Sequence, residues 1–257
     1  MKRLVMMLAL VLVGLFAETS AHAAVRNIFY AGTCSYGWSD AAQNSGYQTV
    51  DEFGFWSGEE TWDAYVDERT STSGAVAGLK STLDQLCTGS NSCYVFTYSQ
   101  GGAILSKLFS DYSTNWNIVW AAVAANNEGG SELSSADWLA ELVLGCSYAS
   151  HVRPADNRPS SGWNHNDTNG KTIKNFGGNI GAGHALWWVT SGLLPGEDDG
   201  VVAFHSSGAS PSTGSYSSLC GSHWTNHTVL GPCGGYDYDH LEMKTQASCY
   251  YGGGNCP

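Results

Sequence analysis

The segment Tyr94-Val95-Phe96-Thr97-Tyr98-Ser99-Gln100-Gly101-Gly102 constrains this chain more than any other. Tyr94 to Thr97 is a short apolar run of the kind that forms a buried strand. Beyond Gly102, apolar residues at Ile104, Leu105, Leu108 and Tyr112 recur at helical spacing. A strand that passes into a helix through one serine needs a sharp turn, and that turn lifts the serine side chain above the sheet edge. Small residues two before and two after the serine relieve the strain. Gly101 and Gly102 meet that need, whereas Thr97 stands where a glycine is usual. The helix also aims its amide end at the turn, where its partial positive charge favours an anion. A serine that opens a helix is often only an N-cap. Two roles therefore stand open for Ser99, cap or nucleophile.

The rest of the chain supplies a sheet for this turn. Asn27-Ile28-Phe29-Tyr30 is a strand candidate, followed by a turn at Gly32-Thr33. Residues 47–55 are a second candidate, weakened by Asp51 and Glu52. Val76, Leu79, Leu83 and Leu86 line one face of a helix, with Thr72 or Ser73 as its cap. Ile118 to Ala124 and His184 to Thr190 read as further strands. Strands alternating with helices imply an α/β fold with a mostly parallel sheet and helices on both faces. Residues 147–183 are rich in Gly, Asn and Ser and show little apolar periodicity, which fits a lid or binding loop as well as a surface excursion. A second loop-rich zone spans 206–239. No repeat or linker divides the chain, so one domain over 24–257 is expected.

Composition narrows the partners. The 257 residues carry a formal net charge of -12, with 11 Lys and Arg against 23 Asp and Glu. Binding to a phosphate backbone needs clustered Lys and Arg, so nucleic acid is excluded. Lys2 and Arg3, the apolar run Leu4 to Phe16 and the small residues of Ala21-His22-Ala23 read as a signal peptide, residues 1–23, cut after Ala23 or Ala24. A retained anchor is the alternative. No later segment is apolar enough to be transmembrane. All eight cysteines follow the cut, and an even count in an exported chain implies up to four disulfides that brace the loops. Proximity pairs Cys87 with Cys93, Cys220 with Cys233 and Cys249 with Cys256. Elimination leaves Cys34 with Cys146. A zinc site is the rival use, but no C-x2-C pair occurs.

A serine hydroxyl becomes a nucleophile only beside a base, and the base needs an acid to orient it. Gly196-Glu197-Asp198-Asp199-Gly200-Val201-Val202 offers Asp199, with Asp198 as the alternative. A calcium site or a solvated acidic turn is the structural alternative for this cluster. His240, in Asp239-His240-Leu241-Glu242, lies C-terminal to the acid and completes the order Ser, Asp, His. His205, His223 and His227 fall in loops and compete for the role. His184 opens an apolar run and reads as structural. An oxyanion hole needs two backbone amides, and Gln100 and Thr33 are the candidates.

These segments together resemble the secreted α/β-hydrolases of the bacterial lipase and esterase group. Tyr30-Ala31-Gly32-Thr33, Tyr98-Ser99-Gln100-Gly101-Gly102, Asp199-Gly200-Val201-Val202 and Asp239-His240-Leu241 carry the likeness. Tyr-Ser-Gln-Gly also resembles the cutinase nucleophile turn. Asn126-Asn127-Glu128-Gly129-Gly130-Ser131 is similar to the lipase loop after the strand that follows the nucleophile helix. Thr97, the lack of a His before Gly32 and the cysteine count depart from the pattern. The resemblance implies an α/β-hydrolase fold and hydrolysis of carboxylic esters through an acyl-enzyme. It implies a monomer acting on a neutral ester, lipid or polymer, with no cofactor; a structural calcium has no identifiable ligand set. A polymer hydrolase is the first rival, favoured if Trp38, Trp56, Trp62 or Trp163 is exposed. A binding protein with a dead site is the second.

Overall fold

The computed structural model describes residues 23–36, 60–69, 71–113, 115–135, 152–158, 168–179, 188–207, 227–230 and 238–243. Among the described residues six strands form one parallel sheet: β1 (Val25–Phe29), β2 (Glu60–Asp63), β3 (Ser92–Tyr98), β4 (Ile118–Ala124), β5 (Ile173–Phe176) and β6 (His227–Leu230). Their order is β2-β1-β3-β4-β5-β6. The chain therefore leaves β1 on one side to form β2 and returns on the other to form β3. Such a divergence opens a crevice at the carboxyl ends of the two central strands. The turns after β1 and after β3 both face it.

Parallel strands are covered on both faces and so read as continuous apolar runs. β4, Ile-Val-Trp-Ala-Ala-Val-Ala, is such a run, and it has the bounds expected from sequence. Alternate residues serve opposite cores. Ile28, Tyr30, Val95, Ala121, Val123 and Ile173 face one, and Phe29, Phe96, Ala122, Ala124 and Phe176 face the other. The first core is completed by α1 (Thr72–Leu86) and α2 (Gln100–Asp111). The second holds a ring stack, Phe29 on Phe96 at 4.8 Å with Trp120 edge-on to Phe96 at 5.2 Å, and it is closed by Met243 and Tyr238.

Several local expectations shift. The cap of α1 is Ser71, whose Oγ accepts from the Gly74 amide at 3.1 Å, rather than Thr72 or Ser73. On α2 the fourth apolar position is Phe109, fully buried, while Tyr112 ends the helix half-exposed. The second strand is Glu60–Asp63, and 47–55 lies outside the described residues. Residues 147–183 are not all excursion, because Ile173–Phe176 pairs with β4. The 206–239 zone likewise yields β6. Of the strand expected over His184 to Thr190, the described part is a short helix, α4 (Trp188–Ser191); α3 is Pro154–Asn157. Cys87–Cys93 is a disulfide. Cys34 is disulfide-bonded too, to a cysteine outside the described residues, where Cys146, Cys220, Cys233, Cys249 and Cys256 all lie. Among the described residues no helix is long and apolar enough to cross a membrane.

Candidate active site

Ser99 occupies the corner between β3 and α2 with φ 54° and ψ -124°. A non-glycine residue there costs about 1–3 kcal/mol and persists only when its surroundings hold it. Three backbone bonds do so: the Ser99 amide donates to Ala124 O at 2.8 Å, and Ser99 O accepts from the Gly102 and Asn127 amides, each at 3.1 Å. The side chain makes no capping bond to α2. Its Oγ lies 3.0 Å from His240 Nε2 instead.

The turn also explains Thr97. A Cβ on Gly101 would fall 1.8 Å from Thr97 Oγ1 and 2.8 Å from Ala31 O. The glycine after the serine therefore makes the room that a glycine before it would otherwise provide. Tyr30 fastens the same point, its hydroxyl donating to Gly101 O at 2.8 Å.

His240 is delivered by a local device. Asp239 Oδ1 accepts from the Leu241 and Glu242 amides, both at 2.9 Å, and Glu242 Oε2 accepts from the Asp239 amide at 3.2 Å. This reciprocal capping box starts a helical turn with His240 at its first position. The His240 amide donates to Asp199 O at 2.8 Å, and the ring packs on Tyr98 at 5.0 Å between centroids. His240 Nδ1 lies 2.8 Å from Asp199 Oδ2. Asp199 Oδ1 accepts from the Val201 and Val202 amides at 2.9 and 2.7 Å, so the carboxylate is fixed at both ends.

Asp198 points elsewhere. It accepts from Ser191 Oγ at 2.5 Å and from the Gly200 amide at 2.8 Å, closing its own turn. His205 is also buried, but its Nε2 faces Arg158 Nη2 at 2.9 Å. Arg158 bonds Glu132 Oε1 and Ser206 Oγ as well, tying the loop after β4 to the loop that carries Asp199. His184 and His223 lie outside the described residues, as does the His227 side chain. Among the described residues no group of three or more His, Cys, Asp or Glu could hold a metal ion.

Gly32, the residue before Thr33, lies close against the Ser99 corner and the Gln100 amide. A Cβ there would meet Tyr98 O at 2.5 Å, Ser99 Cβ at 2.8 Å and the Gln100 amide nitrogen at 2.9 Å. Only glycine lets the β1 turn lie this close to the serine. Among the described residues neither the Thr33 nor the Gln100 amide donates a hydrogen bond.

The Asn126–Ser131 segment singled out in the sequence forms a polar bed under this turn, and the bonds it makes were not foreseen. Asn126 Nδ2 donates to Asn175 Oδ1 at 2.6 Å and to Glu128 Oε2 at 3.2 Å, and Asn127 Nδ2 donates to Gln100 Oε1 at 3.3 Å. Asn175 could have been suspected from a lone amide between Ile173 and Phe176, but its partner is set only by tertiary pairing. Glu68 was missed as well. Its backbone holds the Thr33 turn through Cys34 N to Glu68 O at 3.2 Å and Glu68 N to Ser35 O at 3.0 Å. Its carboxyl is fully buried, and neither oxygen has a hydrogen-bond partner among the described residues.

Burial pushes the Glu68 carboxyl well above its ordinary value of 4.5. Burial, and then the nearby Glu68, push the Tyr30 hydroxyl up in turn. Above pH 4.5 the unfolded chain releases the Glu68 proton while the folded chain keeps it. Folded protein then binds more protons, so this residue erodes stability as pH rises through that window. Glu68→Gln keeps the shape and removes the titration. Its stability relative to wild type, read from urea unfolding between about pH 4 and about pH 8, is expected to grow as pH rises. A difference constant across that range would contradict this account.

No protein-family model and no curated protein matches the chain. Solved structures do. The mature Bacillus licheniformis lipase BlEst2 is similar with a TM-score of 0.64 at 15% identity, over 89% of each chain. A metagenomic carboxyl esterase gives 0.62 at 13% identity, over 86% of this chain and 65% of its own length, so this chain spans just under two thirds of that protein. EstA from Clostridium botulinum gives 0.60 at 12% identity, over 89% and 85%. With a parallel sheet whose strand order puts the β3–Ser99–α2 corner at the point of divergence, the chain has an α/β-hydrolase-like fold.

Proposed function

We propose that this protein is an exported serine hydrolase that cleaves carboxylic esters through an acyl-enzyme. The observation that carries the reading is the hydrogen-bonded line Asp199–His240–Ser99, at 2.8 and 3.0 Å. The lipases and esterases that share the fold support the choice of ester chemistry. The basic and apolar segment of residues 1–23 supports export.

In this mechanism Ser99 Oγ attacks the ester carbonyl carbon while His240 Nε2 takes the hydroxyl proton. Asp199 stabilises the imidazolium that forms and keeps the ring in place. The carbonyl oxygen becomes an oxyanion held by the Thr33 and Gln100 amides. When the tetrahedral adduct collapses, the alkoxide leaves with the proton from His240. Water then repeats the sequence on the acyl-enzyme, giving the carboxylic acid and free Ser99. The strained backbone holds Oγ ready for attack, so no rearrangement is needed at the moment of reaction.

The test is covalent capture. A fluorophosphonate ester is expected to add one phosphonyl group per chain, located at Ser99 by mass spectrometry of the peptides. Hydrolysis of p-nitrophenyl esters of graded acyl length is expected to be lost in step with labelling. Labelling at another serine, or turnover unaffected by full labelling, would overturn the proposal.

A further inference from the structure

Glu68 has no part in the mechanism above, yet it is built into the turn that carries Thr33. Its backbone accepts from the Cys34 amide at 3.2 Å and donates to Ser35 O at 3.0 Å. The Ser35 amide donates to Gly32 O at 3.1 Å, and Cys34 sits in the left-handed region at φ 71°. The turn over Gly32–Ser35 is therefore tight, and Glu68 is fastened to it. The stretch that brings Glu68 there is enclosed: Ala64 and Val66 are buried, and Gly78 of α1 lies against Val66. Buried polar side chains are almost always matched, whereas the enclosed Glu68 carboxyl has no partner among the described residues. The titratable group that faces it is Tyr30, whose hydroxyl donates to Gly101 O at 2.8 Å. The flanking Asp67 and Arg69 pair with each other, as do Lys80 and Asp84 on α1 and, in the candidate site, Asp199 and His240. Among the described residues no cation is paired with Glu68. A carboxylate without donor or cation is the costly form of the group, so enclosure holds the proton on it.

We propose that Glu68 governs the oxyanion site through its proton: neutral, it lets the Thr33 and Gln100 amides hold the developing charge, and ionised, it opposes that charge from behind the Thr33 turn. This inference rests on the ester-hydrolase reading above and names a regulation of its site. Backbones joined by hydrogen bonds lie about 5 Å apart. Cys34 is bonded to Glu68 and adjoins Thr33, so the carboxyl lies within roughly 10 Å of the Thr33 amide. At that separation, and at an effective dielectric of about 20, a unit negative charge slows the formation of an oxyanion about tenfold. A neutral ester carries no charge to repel before the serine attacks. The opposition therefore acts on the tetrahedral adduct and its transition state, where it costs rate. Loss of one proton from Glu68 thus gives turnover an alkaline ceiling.

The test compares pH profiles of kcat/KM for p-nitrophenyl acetate in wild type, Glu68→Gln and Glu68→Met. They run from neutral pH to the alkaline edge at which circular dichroism still reports the native fold. Glu68→Gln keeps the shape and Glu68→Met the length, and neither has a proton to lose, so one folded variant is enough. The ratio of the variant's kcat/KM to that of wild type is expected to rise about tenfold with pH, because wild type alone acquires the opposing charge. A merely structural loss would change this ratio by one factor at every pH. Tyr30 and His240 are present in all three proteins, so a limb that belongs to either cancels in the ratio. The rate of labelling by the fluorophosphonate, read over the same range, is expected to show the same rise, since phosphonylation also builds negative charge on the oxygen held there. A ratio independent of pH overturns the proposal. Wild type that is labelled but cleaves no ester sinks the ester reading alone, and the labelling rates still decide on Glu68. Wild type that shows neither turnover nor labelling overturns both.

Discussion

Ser99→Ala, His240→Ala and the double variant are expected to lose hydrolysis of p-nitrophenyl esters by the same factor, about a million-fold in kcat. The expectation follows from the 3.0 Å contact between Ser99 Oγ and His240 Nε2. The two groups act on one proton, so removing either removes the shared step, and removing both takes away nothing more. What survives is the contribution of the oxyanion amides and of substrate binding. The same experiment separates a nucleophile from a cap. A capping serine replaced by alanine would cost about 1 kcal/mol of stability and leave turnover alone. Because the Ser99 side chain makes no capping bond, its removal is expected to leave the melting temperature unchanged or raised. Steady-state kinetics and thermal melts of the three variants check both halves. Losses that multiply in the double variant would mean that the two residues do not work on a common step.

Asp199→Asn is expected to lower kcat about ten-thousand-fold with little change in fold. The geometry dictates how. Asp199 Oδ1 accepts from the Val201 and Val202 amides, two donors that an amide nitrogen cannot satisfy. In the variant the side-chain oxygen must therefore stay at the Oδ1 position. Its NH2 then takes the Oδ2 position, 2.8 Å from His240 Nδ1. Nδ1 has to accept, so the ring proton moves to Nε2 and points at Ser99 Oγ. That tautomer cannot remove the serine proton. Asp199→Ala frees the ring to choose its tautomer but leaves two backbone donors unmatched, so it is expected to lose more stability than Asp199→Asn. Kinetics and urea unfolding of both variants test the order. An Asp199→Asn variant within tenfold of wild type would remove Asp199 from the mechanism.

The two ends of the Ser99–His240 contact were legible in the sequence for local reasons. The strand, serine and helix around Ser99 are adjacent in the chain, so their periodicities meet at the turn. Asp239 and Glu242 stand at capping-box spacing, which fixes the helical turn that presents His240. β4 read correctly because a strand covered on both faces is apolar throughout. What escaped was short or set by distant partners. β2, Glu-Thr-Trp-Asp, is an edge strand with mostly exposed side chains and no apolar pattern to find. β5 has only four residues among glycines and asparagines, and only its pairing with β4 makes it a strand. The run ending at Thr190 is apolar enough for strand or helix, and composition alone does not decide between them. Glu68 gives no sequence signal at all. It is an ordinary acidic residue in a polar stretch, and burial alone makes it unusual.

The order of the site's parts along the chain sets when it can exist. The turn at Gly32–Ser35 and the Ser99 corner are made early, Asp199 a hundred residues after the serine, and His240 last. Chains emerge N-terminus first, at roughly 5–20 residues per second. On the proposed mechanism a growing chain holds, for several seconds, a serine turn with no base to activate it, and any fragment ending before His240 is expected to be silent toward esters. Appearance of the first turnover during cell-free synthesis would therefore be a clock for completion of the fold rather than for its beginning.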